Sequence, residues 1–90
     1  MEERGFRIHG RVQGVGFRWW TRKTAEALGV EGTVRTVPDG TVEVMVRGEA
    51  PKVDRFANKL REGPSPARVE KVEEMEAEVP EGLSGFRIER

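Results

Sequence analysis

The chain contains no cysteine. Disulfides, zinc–thiolate sites and thiol nucleophiles therefore lie outside its chemistry. It has no apolar run long enough to span a bilayer and no signal-peptide pattern, so the expected location is the cytoplasm, with no membrane partner. An excess of either charge is also missing: 16 Lys and Arg balance 16 Asp and Glu. That balance argues against a general nucleic-acid coat protein or a polybasic membrane binder, so no nucleic-acid partner is expected. Asn58 is the sole asparagine and Gln13 the sole glutamine, while arginine and glutamate abound, a bias that fits a heat-adapted (thermophile) source.

What remains is one small domain spanning residues 1–90. Charged and hydrophobic residues each make up 36%, the balance of a globular chain. The charges are unevenly spread. Residues 1–25 hold Arg4, Arg7, Arg11, Arg18, Arg22 and Lys23 against Glu2 and Glu3, whereas residues 69–90 hold seven glutamates against Lys71, Arg87 and Arg90. The asymmetry describes either two solvated surfaces of opposite sign or an N-terminal part that meets an anion.

Phe6, Ile8, Gly10 and Val12 alternate with Arg7, His9 and Arg11, which predicts a strand with one wet face carrying His9. Residues 13–16 break that pattern. From Phe17, a helical face is expected through Trp20, Thr24, Ala27 and Leu28, stopped by Gly29. Val30, Gly32, Val34 and Thr36 suggest a second strand, the turn VPDGT follows at 37–41, and Val42, Val44 and Val46 complete a hairpin. Residues 48–64 read as a second helix with Pro51 at its first helical position and Val53, Phe56, Ala57 and Leu60 on its apolar face. A charged strand is expected over 67–79, with a phase slip between Val69 and Met75 that marks a bulge. The loop PEGLSG then leads to a final strand, FRIER.

The order is βαββαβ plus a short C-terminal strand. It predicts an α+β ferredoxin-like sandwich, an antiparallel sheet with both helices on one face. A right-handed crossover returns the second strand in the direction of the first. The loop at 13–18 and the stretch 34–37 should therefore converge at one edge.

At that edge the helix lacks a conventional cap. Gln13, Gly14, Val15 and Gly16 include no Ser, Thr, Asp or Asn to bind the first-turn amides. Free amides at a positive helix end suit a phosphate, and Arg18 adds a planar fork for two of its oxygens. An ordinary glycine turn beside an exposed arginine is the bland alternative. The common nucleotide loops fit badly. There is no G-x-x-x-x-G-K-[ST], and Trp19 stands where a dinucleotide fingerprint needs its third glycine. GVGFRWW is also a poor RNA-binding strand, because its aromatics enter a helix instead of alternating on an open sheet.

The stretches GRVQGVGFR (10–18), ALGVEGTVRTVPDGTVEV (27–44) and GPSPARVEKVE (63–73) together resemble the acylphosphatase family over nearly the whole chain. The resemblance implies hydrolysis of the carboxyl–phosphate bond of a small-molecule acyl phosphate by a monomer, with no metal, cofactor or covalent intermediate. It implies that Arg18 and the amides of Gly14, Val15, Gly16, Phe17 and Arg18 hold the phosphoryl group. The family also carries an asparagine to orient water, in a G-W-V-R-N pattern. Here that pattern reads Gly32-Thr33-Val34-Arg35-Thr36, so Thr36 takes the asparagine's place and Thr33 the tryptophan's. A threonine hydroxyl is shorter and has fewer donors than a carboxamide. Two functions stay open on this reading: an acylphosphatase of reduced turnover, or a weak or inactive phosphate-binding regulatory domain. Trp20 is expected in the core, Trp19 at the rim of the site or in partly exposed packing, and Arg35 on the surface. Glu74, Glu76 and Glu78 are expected along a solvated edge rather than on a metal.

Overall fold

In the computed structural model, which describes residues 1–89, the N-terminal alternation becomes strand β1 (Glu2–Arg11). Helix α1 (Phe17–Leu28), the hairpin β2 (Glu31–Thr36) and β3 (Val42–Gly48), helix α2 (Ala50–Glu62), β4 (Arg68–Met75) and β5 (Phe86–Glu89) follow. The sheet order is β4-β1-β3-β2-β5. β3 pairs antiparallel with both β1 and β2, so β1 and β2 run in the same direction. Their C-terminal ends therefore share an edge, as the βαββ order predicts. Among the described residues no helix is long and apolar enough to cross a membrane.

The core lies between the helices and one sheet face. Phe6 and Ile8 of β1, Val34 of β2, Val44 and Val46 of β3, and Val53, Phe56 and Leu60 of α2 are wholly buried. Each such side chain stabilises the fold by about 1.5–3 kcal/mol relative to an exposed position. The apolar face of α2 is the one its sequence spacing predicts.

α1 is rotated relative to expectation. Phe17, Thr21 and Ala25 are buried, Trp20, Thr24 and Leu28 are half-buried, and Ala27 is exposed. Thr21 tolerates burial because its hydroxyl donates to the Phe17 carbonyl at 2.8 Å. With that polar group satisfied, the buried stripe recurs every fourth residue and Ala27 turns outward. Trp20 reaches the core from its margin, its ring 5.4 Å from that of Phe17.

β4 carries the expected bulge. His9 faces Lys71 and Gly10 faces Val69, so Glu70 is an extra residue on β4. The bulge draws the β4 backbone onto β1. A Cβ on Gly10, at φ 126°, would lie 2.1 Å from the Arg68 carbonyl oxygen.

The expected strand over 67–79 is shorter than its alternation implies, and ends at Met75. After Met75 the chain leaves the ladder and crosses the sheet face opposite the helices. There the Glu78 amide meets the Met45 sulfur at 3.4 Å, and Arg47 donates to the Leu83 carbonyl at 3.1 Å. Ala77 and Val79, within this strap, are half-buried without being in a strand. The strap delivers β5 to the far edge, where it pairs parallel with β2. The antiparallel sheet thus gains one parallel edge pair. Arg90, the last residue of the expected final strand, lies outside the described residues.

Candidate active site

The loop between β1 and α1 turns on two glycines with the same left-handed φ of 72°, separated by Val15 at negative φ. Such alternation points successive amides toward one concavity. Gly16 is the N-cap of α1 and no side chain caps it. The first intrahelical bond runs from the Trp20 amide to the Gly16 carbonyl at 2.9 Å. Among the described residues, none of the amides of Gly14, Val15, Gly16, Phe17 or Arg18 donates to a protein acceptor. A Cβ at Gly14 or Gly16 would meet nothing within 4 Å, so backbone shape requires the glycines here, whereas packing does not.

Arg18 follows on the first turn of α1. It is exposed and has neither a hydrogen bond nor an ion pair among the described residues. Gln13 ties the loop to the neighbouring hairpin by donating from Nε2 to the Val37 carbonyl at 3.1 Å. That link sets the loop beside Thr36, the last residue of β2. The Thr36 hydroxyl has no protein partner among the described residues.

One cavity of about 780 Å³ joins these parts. Gln13, Gly14, Gly16, Arg18 and Thr36 supply its polar lining, and Val12, Phe17, Trp19 and Ile88 its apolar lining. Of the residues anticipated from sequence, Gly14, Gly16, Phe17, Arg18 and Thr36 line it together. Val15 sits half-buried between the two glycines and packs on the core. Trp19 is 62% exposed at the cavity, in keeping with a rim position.

Other candidates are absent from this cavity. Arg35 lies on the opposite sheet face and donates to Glu43 at 3.0 Å, a bond that raises its pKa above the ordinary guanidinium value. Asn58 is on α2 and accepts a bond from Arg61 at 3.4 Å. Among the described residues no group of three or more Asp, Glu or His is placed to hold a metal ion, Glu74, Glu76 and Glu78 included. Ile88 was not foreseen. Nothing in its spacing links it to Thr36, because only the parallel pairing of β5 with β2 brings it there.

The five-stranded sheet with two helices on one face is an α+β sandwich of the ferredoxin-like class, with an uncapped loop and, among the described residues, an unpaired guanidinium at one sheet edge. The match to known proteins is closer than class. The acylphosphatase family model matches residues 4–88, and the chain belongs to the acylphosphatase family. It is 50% identical to an acylphosphatase of Thermococcus kodakarensis over 91% of this chain and 89% of that protein. The fold superposes on a crystal structure of acylphosphatase from Bacillus subtilis with a TM-score of 0.92, at 29% identity and full coverage of both chains. An acylphosphatase structure from Coxiella burnetii matches with a TM-score of 0.84 at 36% identity, covering 97% of this chain and 93% of that one. Family and fold together support a hydrolase acting on acyl phosphates.

Proposed function

We propose that this chain hydrolyses acyl phosphates by direct in-line attack of water on phosphorus. The observation that carries the proposal is the single cavity shared by the uncapped loop, Arg18 and Thr36. In this reading the phosphoryl oxygens take hydrogen bonds from the amides between Gly14 and Arg18, while the Arg18 fork holds two of them. Both sets of donors also face the charge that grows on the equatorial oxygens during transfer.

The chemistry asks little else of the protein. Water oxygen forms the new bond to phosphorus as the bond to the acyl oxygen breaks. The electron pair leaves on a carboxylate, and the water proton passes to the departing products or to bulk solvent. Carboxylates have pKa values near 4, so the leaving group departs without a general acid. Positioning is then the main task. The unpartnered Thr36 hydroxyl can accept one hydrogen from the attacking water and donate to a phosphoryl oxygen. Its arm is shorter than that of the asparagine the family pattern carries. A displacement of about 1 Å costs on the order of a hundredfold in rate.

The short arm also supports the second reading, a phosphate-binding domain of weak or no turnover. Phosphate release from acetyl phosphate, followed with and without added inorganic phosphate, separates the two. Turnover that inorganic phosphate inhibits competitively is the expected result. Saturable phosphate binding without release would establish the silent domain.

A further inference from the structure

The sheet face opposite the helices carries a second cavity, of about 550 Å³, which none of residues 13–18 lines. Strand register builds its floor. On this face Thr33 of β2 lies between its register partners, Met45 of β3 and Arg87 of β5. In the next row Arg35 lies between Glu43 and Glu89. Residues two apart on a strand share a face, so the two rows stand side by side. Thr33 is the shortest of these side chains, and its longer neighbours wall a pit around it. The strap adds Glu78, whose amide meets the Met45 sulfur.

Two observations mark the pit as a ligand site. The first is the Thr33 hydroxyl. Thr21, Thr33 and Thr41 are the buried threonines among the described residues. Thr21 and Thr41 spend their hydroxyls on protein acceptors, at 2.8 and 2.6 Å. Thr33 is 5% exposed, and its hydroxyl has no such partner among the described residues. Nor is it sealed in: Arg7 Nε is the one fully buried side-chain polar atom left without a partner there. The Thr33 hydroxyl therefore opens into the cavity that Thr33 lines. The second observation is charge. Glu43 is occupied, accepting from Arg35 at 3.0 Å and from Arg7 at 3.4 Å. The side chains of Arg87, Glu78 and Glu89 have no ion-pair partner among the described residues. One guanidinium and two carboxylates are left over around a free hydroxyl.

We infer that this pit binds a small zwitterion of the α-amino acid class. The ligand carboxylate pairs with Arg87 and accepts from the Thr33 hydroxyl, while its ammonium lies against Glu78 and Glu89. An aliphatic side chain packs on Met45. A simple carboxylate brings a further negative charge among Glu43, Glu78 and Glu89, and a simple amine faces Arg35 and Arg87, so each alone meets like charge. A zwitterion answers both signs. The inference goes beyond the acyl phosphate reading and does not depend on it. The family pattern has a tryptophan at position 33, and an indole there fills the pit, so the site belongs to this chain.

The test titrates three probes into isotope-labelled protein at neutral pH and follows backbone amide shifts. They are L-leucine, its deaminated analogue isocaproate and its decarboxylated analogue isoamylamine. Leucine is expected to give saturable shifts at Thr33, Arg35 and Arg87, and each analogue to bind about tenfold more weakly or worse, the usual cost of one charged hydrogen bond. Arg87→Gln, at an exposed side chain, should weaken leucine about tenfold, and Thr33→Trp should abolish its shifts. Arg87→Gln decides alone should Thr33→Trp fail to fold. Absence of saturable shifts with leucine, equal affinity for the three probes, or unchanged leucine binding in Arg87→Gln overturns the site. Any of those results leaves the hydrolytic reading standing, since no residue of the amide loop takes part.

Discussion

Arg4 and Arg18 show how differently two ends of this molecule treat the same side chain. Arg4 lies over the Phe6 ring, its guanidinium carbon 5.0 Å from the centroid, and each of its three nitrogens donates a hydrogen bond. It donates to Glu74 at 2.8 and 3.1 Å and to Asp54 at 2.9 Å, so it ties β4 and α2 to β1. The Glu74 hydrogen bond raises the Arg4 pKa above its usual value, and the same bond holds the Glu74 carboxyl below the usual carboxylate range. Arg18 has the same five donors and no protein acceptor among the described residues. The amides around it are equally unused. Donors that a fold needs are consumed by the fold, and donors kept for a ligand stay free. The contrast supports the placement of the proposed site at the loop and Arg18.

The sharpest break in that contrast comes from exchanging each arginine for alanine. Arg18→Ala is expected to lower kcat/KM for acetyl phosphate by about a hundred- to a thousandfold, the usual cost of losing a transition-state donor, and to weaken inhibition by phosphate. Its melting temperature should stay within about 2 °C of the wild type, because no fold contact is lost. Arg4→Ala should do the reverse. Loss of about 1 kcal/mol lowers Tm by about 4–8 °C for a domain of this size, with kcat/KM unchanged. Intact phosphate inhibition in Arg18→Ala would remove that residue from the site.

Thr36→Asn sharpens the comparison from the other side of the cavity. A longer arm with two donors should raise kcat about tenfold or more, with phosphate inhibition constant within about twofold, since the loop is untouched. Steady-state kinetics with phosphate as competitive inhibitor decide it. Flat or reduced turnover would show that Thr36 does not set the water.

The smallest effect is the pH dependence of stability. Glu74, held low chiefly by its hydrogen bond from Arg4, and Glu73, held low chiefly by its bond to His9, titrate below their unfolded values. Asp39 does so as well, through its hydrogen bonds from Thr41. A carboxyl with a depressed folded pKa contributes stability that is present above the ordinary carboxylate range and is lost as pH falls through the folded value. Tm should therefore be level near neutrality and fall below about pH 4. Glu74→Gln should shallow that fall in thermal melts at pH 3–6, because one of the three groups is gone.

Much of the scaffold could be read from local pattern. The faces of β1 and α2 follow from periods of two and 3.6, and the bulge at Glu70 announced itself as a phase slip between Val69 and Met75. The Gly14–Arg18 run was recognisable because an uncapped helix start is a local feature. Three things were not local. Thr21 stood off the expected face of α1 and enters the core because its hydroxyl donates to the Phe17 carbonyl. The Met75–Ala77–Val79 alternation looked like strand, but it belongs to a strap that has no ladder partner after Met75. Ile88 gave no signal, since its role arises from the edge that β5 joins.

The amino-acid order alone determined where amides would be left uncapped and which residue, Arg18, would stand beside them, because capping and turn chemistry act over a few neighbouring positions. The folded sheet alone decided that Ile88 would share one hollow with that loop and Thr36. Strand pairing joins segments more than fifty residues apart, and no short-range preference encodes which edge a final strand will find.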